Sequence, residues 1–586
     1  MGGSAGRRDA VARRDRVHAG MPRFRLSACI DPVKNSAALS ARTEHPLVRA
    51  VLDHPLLIGL LLLLPIVFLL PPLPIDETRY LAVAWEMRQT GEFLVPHLNG
   101  ATYAHKPPLL FWLINAGWLL TGVHAWTARA MTLLCSALSL TLLDRLTLRL
   151  TASAATARLS MWILLGAVYF AAFANEIMFD VLLVTCVLLA LHGLCDLVDG
   201  RVRRGVLIAG LAIGLGILAK GPAMLLGIAF VALGAPWWNA QNLHDTRARY
   251  FGALGVALLL GAAIALAWAI PAALHGGPDY AHSIFLSQTV DRIEGVKSAS
   301  THGRPWWWYL EIFPLMVLPW PLVLRGRWAG LRALGNERAM RFAAAWVLPT
   351  LVAWSLVAGK QPHYLLPLIP GVALGAALAL DRGGWRVRSG LFALLLLAIG
   401  IALAVLPHTA STHGNAFVEN TWPGWGVIVA LIGSALLAFA SRIRHPAWPA
   451  LAVVACLLVF KLAIVQGPGI RYDVRGVAAE VRAAQERGQP IVHMGWHHGL
   501  YEFAGRLTRP LPTLGNESEL EAWARAHPDG LVISFYRRFR YRAKPLYTQP
   551  FRGGQLSIWN VRDALASGVD PANLRAPDDS EDAIDD

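Results

Sequence analysis

The chain has 586 residues, of which 55% are hydrophobic and 16% charged, with a formal net charge of +15. A soluble chain carries about a quarter charged residues, and apolar runs of roughly 17 to 22 residues recur here, so the composition excludes a soluble globular protein and predicts a polytopic α-helical membrane protein. Most Lys and Arg sit in short loops between those runs, the pattern that orients membrane spans, and this excludes nucleic acid as the partner of the positive charge.

Residues 1–54 are rich in Arg and read as a disordered basic cytoplasmic tail rather than a cleaved signal peptide, because the apolar core comes late and is long. Leu56 to Leu73 is apolar enough to span, and Asp76-Glu77-Thr78-Arg79-Tyr80 follows where the chain leaves the membrane. Ionisable groups clustered at a membrane boundary are costly and mark a site. Asp76 and Glu77 hold a divalent cation, act as a general base, or form a solvated helix end; spacing does not separate these roles. His105-Lys106-Pro107-Pro108 stands at the lip of the next apolar run. The two prolines start a helix and fix where Lys106 points. That run, 107–122, is short, and its interleaved Trp112, Asn115 and Trp118 suit a helix lying along the outer surface.

With 107–122 outside the bilayer, every basic loop from Arg145 to Arg444 falls on the cytoplasmic side. The spans then lie near 55–73, 127–149, 156–175, 178–198, 206–219, 221–238, 251–273, 306–324, 342–358, 363–380, 389–406, 424–440 and 447–466, about thirteen in all. The outer face receives the loops 74–126 and 274–305 and the turns 176–180 and 359–362. Glu176 and Asp180, four apart, are expected on one helical face, either compensating the helix N-terminus or supplying a second carboxylate. Lys106, Lys220 and Lys360 each stand beside Gly or Pro at an outer lip. One such lysine is usually a snorkelling anchor; three, joined by Arg292 in the outer loop, suit the phosphate of a lipid-linked substrate. His363 and Tyr364 begin a span, and Trp306 to Tyr309 reads as an aromatic belt. The five cysteines show no metal-like spacing and read as small apolar packing residues.

Past residue 466 the composition changes. Residues 467–563 predict a small soluble α/β domain on the outer side, with strands near 489–493, 531–536 and 555–561 and a helix at 518–527 whose Ser518 and Glu521 have capping-box spacing. No phosphate loop or nucleophile elbow occurs in it, so a structural or substrate-guiding role is expected. Residues 564–586 form an acidic, disordered tail.

Taken in order, Asp76 to Tyr80, Leu98-Asn99-Gly100, Lys106-Pro107-Pro108, Arg129, Asp180, Lys220-Gly221-Pro222, Arg292 with Pro305-Trp306, and Lys360 to Pro370 resemble the bacterial lipid-linked aminoarabinose transferases. These are relatives of the protein O-mannosyltransferases and have the GT-C fold. The resemblance covers residues 55–380 well and the rest in layout. It implies an inner-membrane glycosyltransferase that moves a sugar, such as 4-amino-4-deoxy-L-arabinose, from a polyprenyl (undecaprenyl) phosphate to lipid A, another glycan or protein at the periplasmic face. It implies Asp76 as the main catalytic carboxylate, Asp180 as a second acidic residue and Glu77 beside them. Arg79, Lys106, Lys220, Arg292, Lys360 and Tyr364 then surround the donor phosphate. The family often has Glu where this chain has His105, so two readings of cofactor use stay open: a divalent metal held by His105 and His363, or none. The rival class is a transporter or flippase of lipid-linked sugar. Paired repeats and mid-membrane broken helices would mark it; the sequence has no internal repeat and gathers its ionisable residues at one lip.

Overall fold

The computed structural model describes residues 46–243, 246–286, 304–409, 421–467, 471–536, 540–552 and 554–570. Most of the basic and acidic tails, most of the loop 407–423, and Arg292 lie outside the described residues. Eight described helices are long and apolar enough to cross a membrane: Ala125–Thr151, Phe179–Val198, Val202–Lys220, Arg247–Leu286, Arg338–Leu356, Pro362–Asp381, Gly390–His408 and Ala447–Gln466. Shorter apolar helices cover Pro55–Leu69, Leu109–Thr121, Ala154–Gly166, Ala223–Leu233 and Pro423–Ala438.

Small residues set the closest helix pairing. A Cβ at Gly193 would lie 2.5 Å from the Ala209 backbone nitrogen, and one at Gly205 would lie 2.8 Å from that of Leu197. Helices Phe179–Val198 and Val202–Lys220 therefore pack backbone to backbone as an antiparallel hairpin. Antiparallel pairing puts Asp180, in the first turn of one, at the same lip as Lys220, the last residue of the other. The opposite end of this hairpin carries a basic network. Arg149 bridges Asp196 at 2.7 Å and Asp199 at 2.6 Å, Arg201 meets Asp196 at 2.8 Å, and Arg338 reaches Asp199 at 3.2 Å.

Three expectations change. The run 306–324 is not one helix: Trp308–Met316 and Trp320–Val323 are separate, with Pro314, Pro319 and Pro321 interrupting the hydrogen-bond ladder. Glu176 and Asp180 do not share a helical face, because residues 174–178 form a turn and the helix begins at Phe179. The C-terminal-domain helix starts at Glu517, and its cap is Asn516, whose Oδ1 accepts from the Glu519 N–H at 3.0 Å. The Glu519 carboxylate reaches back to the Gly515 N–H at 2.7 Å, so the reciprocal cap forms two residues before the Ser518 expectation.

Helix Leu109–Thr121 has 13 residues, a length of roughly 20 Å against the ~30 Å hydrocarbon core. It packs on helix Asp76–Thr90, where Asn115 donates to the Ala84 carbonyl at 3.0 Å, and it buries Phe111, Ile114 and Trp118.

The C-terminal region folds around a five-stranded mixed sheet. From one edge to the other the strands run Thr513–Leu514, Ile491–Met494, Leu531–Tyr536, Gly554–Asn560 and Tyr547–Phe551. The first three are parallel and the last two pair antiparallel. Helix Arg475–Glu486 covers one face through Val477, Ala478, Val481 and Ala484.

This domain is bolted to helix Asp76–Thr90. The Trp85 indole donates to the Leu507 carbonyl at 2.9 Å, Gln89 to Thr508 at 2.6 Å, and Asn99 exchanges two hydrogen bonds with the Leu511 backbone at 2.8 and 2.7 Å. Phe503 stacks on Trp118 at 5.6 Å.

Candidate active site

Helix Asp76–Thr90 begins with its two carboxylates in the first turn, where the helix dipole favours negative charge. The two point to different company. Asp76 accepts from Arg79 at 2.7 Å and keeps 46% of its side chain exposed. Its surroundings oppose ionisation, but the charges of Arg79 and Lys106 and hydrogen bonds from Tyr80 and Arg79 outweigh them and hold the carboxyl below the usual aspartate value.

Glu77 is buried and ion-paired with Arg129, whose Nε donates to Oε1 at 2.9 Å. It also accepts from the backbone N–H groups of Leu73 at 2.9 Å and Ile177 at 3.0 Å. Burial opposes its charge, and the Arg129 charge with these hydrogen bonds prevails, lowering its pKa. Arg129 donates further to the carbonyls of Leu70 and Pro71. Glu77 thus ties three chain segments together behind the site, rather than facing outward as the expected catalytic partner of Asp76.

Asp180 and Lys220 form a buried ion pair. The Lys220 ammonium also lies 4.6 Å from the centroid of the Tyr364 ring. Lys106 is within electrostatic reach of both Asp76 and Asp180. Asp76, Arg79, Lys106, Asp180, Lys220 and Tyr364 therefore converge at one lip. Aromatic rings wall the cluster: Tyr80 meets Phe179 edge-on at 4.9 Å, and Phe179 meets Phe111 at 5.3 Å.

Lys360 sits elsewhere than its sequence position suggests. It is 3% exposed, and its ammonium donates to the carbonyls of Arg304, at 3.0 Å, and Val357. It locks the 304 and 357–361 segments together instead of meeting a phosphate. Tyr309 completes that lock, its hydroxyl donating to the Gln361 carbonyl at 2.9 Å. The His105 ring packs 5.3 Å from Tyr103, and the His363 ring 4.8 Å from Tyr364. Among the described residues no three His, Cys, Asp or Glu side chains gather as a metal-holding set.

Two positioning residues, Lys461 and Arg129, take their roles only from partners distant in sequence. Lys461, in the last apolar helix, bridges Glu176 at 3.0 Å and donates to Asn175 at 2.7 Å and to the Ala172 carbonyl at 2.6 Å. Asn175 in turn donates to the Leu63 carbonyl at 3.0 Å. This fixes the turn that leads into Glu77's partner Ile177 and on to Asp180. The signal was available: a lysine inside an apolar span is expensive and implies a partner. Arg129 was noticed only as part of an ordered motif set, and its partner Glu77 lies 52 residues away.

Residues 105–271 match the family model of dolichyl-phosphate-mannose-protein mannosyltransferases. The chain is 30% identical to an undecaprenyl phosphate-α-4-amino-4-deoxy-L-arabinose arabinosyl transferase of Pseudomonas fluorescens, over 72% of each chain. It is also 30% identical to the corresponding transferase of Pseudomonas aeruginosa, over 66% of this chain and 70% of that one. In fold it resembles ArnT from Cupriavidus metallidurans in the apo state, with a TM-score of 0.67 at 17% identity over 87% of this chain and 97% of that one. The same protein bound to undecaprenyl phosphate gives 0.66 at 18% identity, over 88% and 98%. The chain belongs to the undecaprenyl phosphate-aminoarabinose arabinosyl transferase family, multi-pass inner-membrane glycosyltransferases with the GT-C fold.

Proposed function

We propose that this chain transfers 4-amino-4-deoxy-L-arabinose from undecaprenyl phosphate to a phosphate group of lipid A at the periplasmic lip of the inner membrane. The relatives' names supply the donor. The observation that carries the rest is the charge inventory of the lip. Three cations, Arg79, Lys106 and Lys220, gather at one lip with two carboxylates, Asp76 and Asp180, and a cluster of Lys and Arg there suits a phosphate.

An oxygen of the acceptor phosphate attacks the anomeric carbon, and a new carbon–oxygen bond forms as the bond to the undecaprenyl phosphate oxygen breaks. The departing electron pair stays on that oxygen, and the configuration at the anomeric carbon inverts. Arg79, Lys106 and Lys220 stabilise the charge that grows on the leaving phosphate. Tyr364 holds the Lys220 ammonium from the far side. Asp76, kept ionised below the ordinary carboxylate range, is a weak base. A weak base suits an acceptor that is already an anion, and Asp76 then orients Arg79 and balances charge instead of removing a proton.

The periplasmic assignment is supported by polarity along the helices. The basic network of Arg149, Arg201 and Arg338 stands at the opposite end of the Asp180–Lys220 hairpin, as expected where basic loops face the cytoplasm.

The test compares phosphorylated and dephosphorylated lipid A as acceptors for purified protein in lipid nanodiscs. The expected result is sugar transfer to the phosphorylated form alone. Equal transfer to the dephosphorylated form would overturn the phosphate-acceptor assignment and return Asp76 to the role of base.

A further inference from the structure

Besides the hydrogen bonds from Trp85 and Gln89, the outer domain meets the active-site helix through a tight loop, Gly495-Trp496-His497-His498-Gly499. Three of its five residues have left-handed backbone: Gly495 at φ 81°, His498 at φ 49° and Gly499 at φ 75°. Gly499 lies against the active-site helix. A Cβ there would stand 2.8 Å from Leu98, 3.0 Å from the Ala82 side chain and 3.4 Å from the Arg79 Cα. Glycine is thus required twice at this position, by backbone conformation and by close approach. The loop rests one helical turn from Asp76.

The base of the loop is built rigidly. His497 is 2% exposed, with its ring 5.3 Å from His493 and 5.5 Å from Tyr501. His493 pairs with the Tyr501 hydroxyl at 3.1 Å and with the Gly495 carbonyl at 2.9 Å. Glu502 lies 3.4 Å from His497. Burial pushes the Glu502 carboxyl up to about 7 and the His497 imidazole down to about 4, so at neutral pH the imidazole is neutral and the carboxyl only partly ionised.

On this base lies Trp496, parallel to the His497 ring at 6.0 Å and 18°, yet 52% exposed. One indole face is backed by a buried ring and the rest is presented to solvent, three residues from the contact with Arg79. A half-exposed indole can take a ligand ring without rearrangement. The nearest chemistry is a reaction centre that has to orient a sugar. The C–H-rich face of a pyranose ring carries partial positive charge and fits the negative face of an indole.

Resting on the transfer reaction proposed above, we propose that Trp496 is a sugar-ring platform on the outer wall of the active site, a specificity-determining residue presented by the outer domain. The ring it carries belongs either to the donor's sugar or to the saccharide part of the acceptor, and kinetics separate the two.

The experiment measures KM for donor and for acceptor separately, in full-length protein, for Trp496→Ala, Trp496→Leu and Trp496→Phe. Loss of the ring is expected to raise one KM about tenfold with kcat little changed, equally in Trp496→Ala and Trp496→Leu, and Trp496→Phe restores most of it. A rise in donor KM assigns the platform to the donor sugar; a rise in acceptor KM assigns it to the acceptor. The thermal midpoint in detergent stays near wild type, because the indole is half exposed. If all three variants match an active wild type, or if Trp496→Leu alone does, the platform is overturned. A wild type that transfers no sugar overturns the transfer reading instead, and the platform with it.

Discussion

Asp76→Asn is expected to lower kcat by about 10²- to 10³-fold, the usual effect of removing one preorganised charge from a polar active site. The substitution keeps the shape and a hydrogen-bond acceptor for Arg79, whose contact with Asp76 is 2.7 Å. It removes the negative charge that holds Arg79 and Lys106 in balance. Donor KM should change little, since the cations remain. The pH profile carries the sharper information. The folded pKa of Asp76 lies below the ordinary aspartate value, so the group stays ionised as pH falls to the ordinary carboxylate range and contributes no loss of activity above about pH 5. An acidic limb near pH 6 to 7, where a general base ideally titrates, that vanishes in Asp76→Asn would contradict the orienting role.

Arg129→Leu has the largest expected effect on stability. Glu77 is 4% exposed, and Arg129 is its counter-charge. The same guanidinium closes off the Leu70 and Pro71 carbonyls. Removing one partner of a buried ion pair strands the other, at about 3–5 kcal/mol. The thermal midpoint in detergent should fall sharply and activity with it, because Glu77 also anchors Leu73 and Ile177 on either side of the site. The double variant Arg129→Leu/Glu77→Gln should recover part of the loss, since no buried charge is then unpaired. A midpoint equal to wild type in Arg129→Leu would show that the pair does not hold the site.

The spans and the lip were legible in the sequence for one reason: a bilayer demands long apolar runs, and charge at their edges stands out. Asp76, Arg79, Lys106, Asp180 and Lys220 could be picked out this way, and they do come together, with Tyr364, which only the family resemblance pointed to. Direction was not legible. Glu77 and Asp76 are neighbours in sequence, yet one faces the interior and the other the lip, which only the position of Arg129 decides. Lys360 stands at the right depth but turns back onto two carbonyls. Prolines in 306–324 broke a helix that hydropathy alone would make continuous. The C-terminal domain's grip on helix Asp76–Thr90 had no local signal, because its hydrogen bonds join residues more than 400 positions apart. A turn is expected at 176–180, but what holds it was not legible, since neither Gly nor Pro marks it; Lys461, from a helix near the end of the membrane domain, fixes it through Ala172, Asn175 and Glu176.

The most direct test of the account is release of undecaprenyl phosphate from undecaprenyl phosphate-4-amino-4-deoxy-L-arabinose by protein reconstituted in proteoliposomes, with and without phosphorylated lipid A. The account predicts release that requires the acceptor, one added aminoarabinose per product by mass analysis, and loss of both in Asp76→Asn. Absence of release with acceptor present, together with movement of the intact lipid-linked sugar across the bilayer, would contradict it and make the protein a flippase.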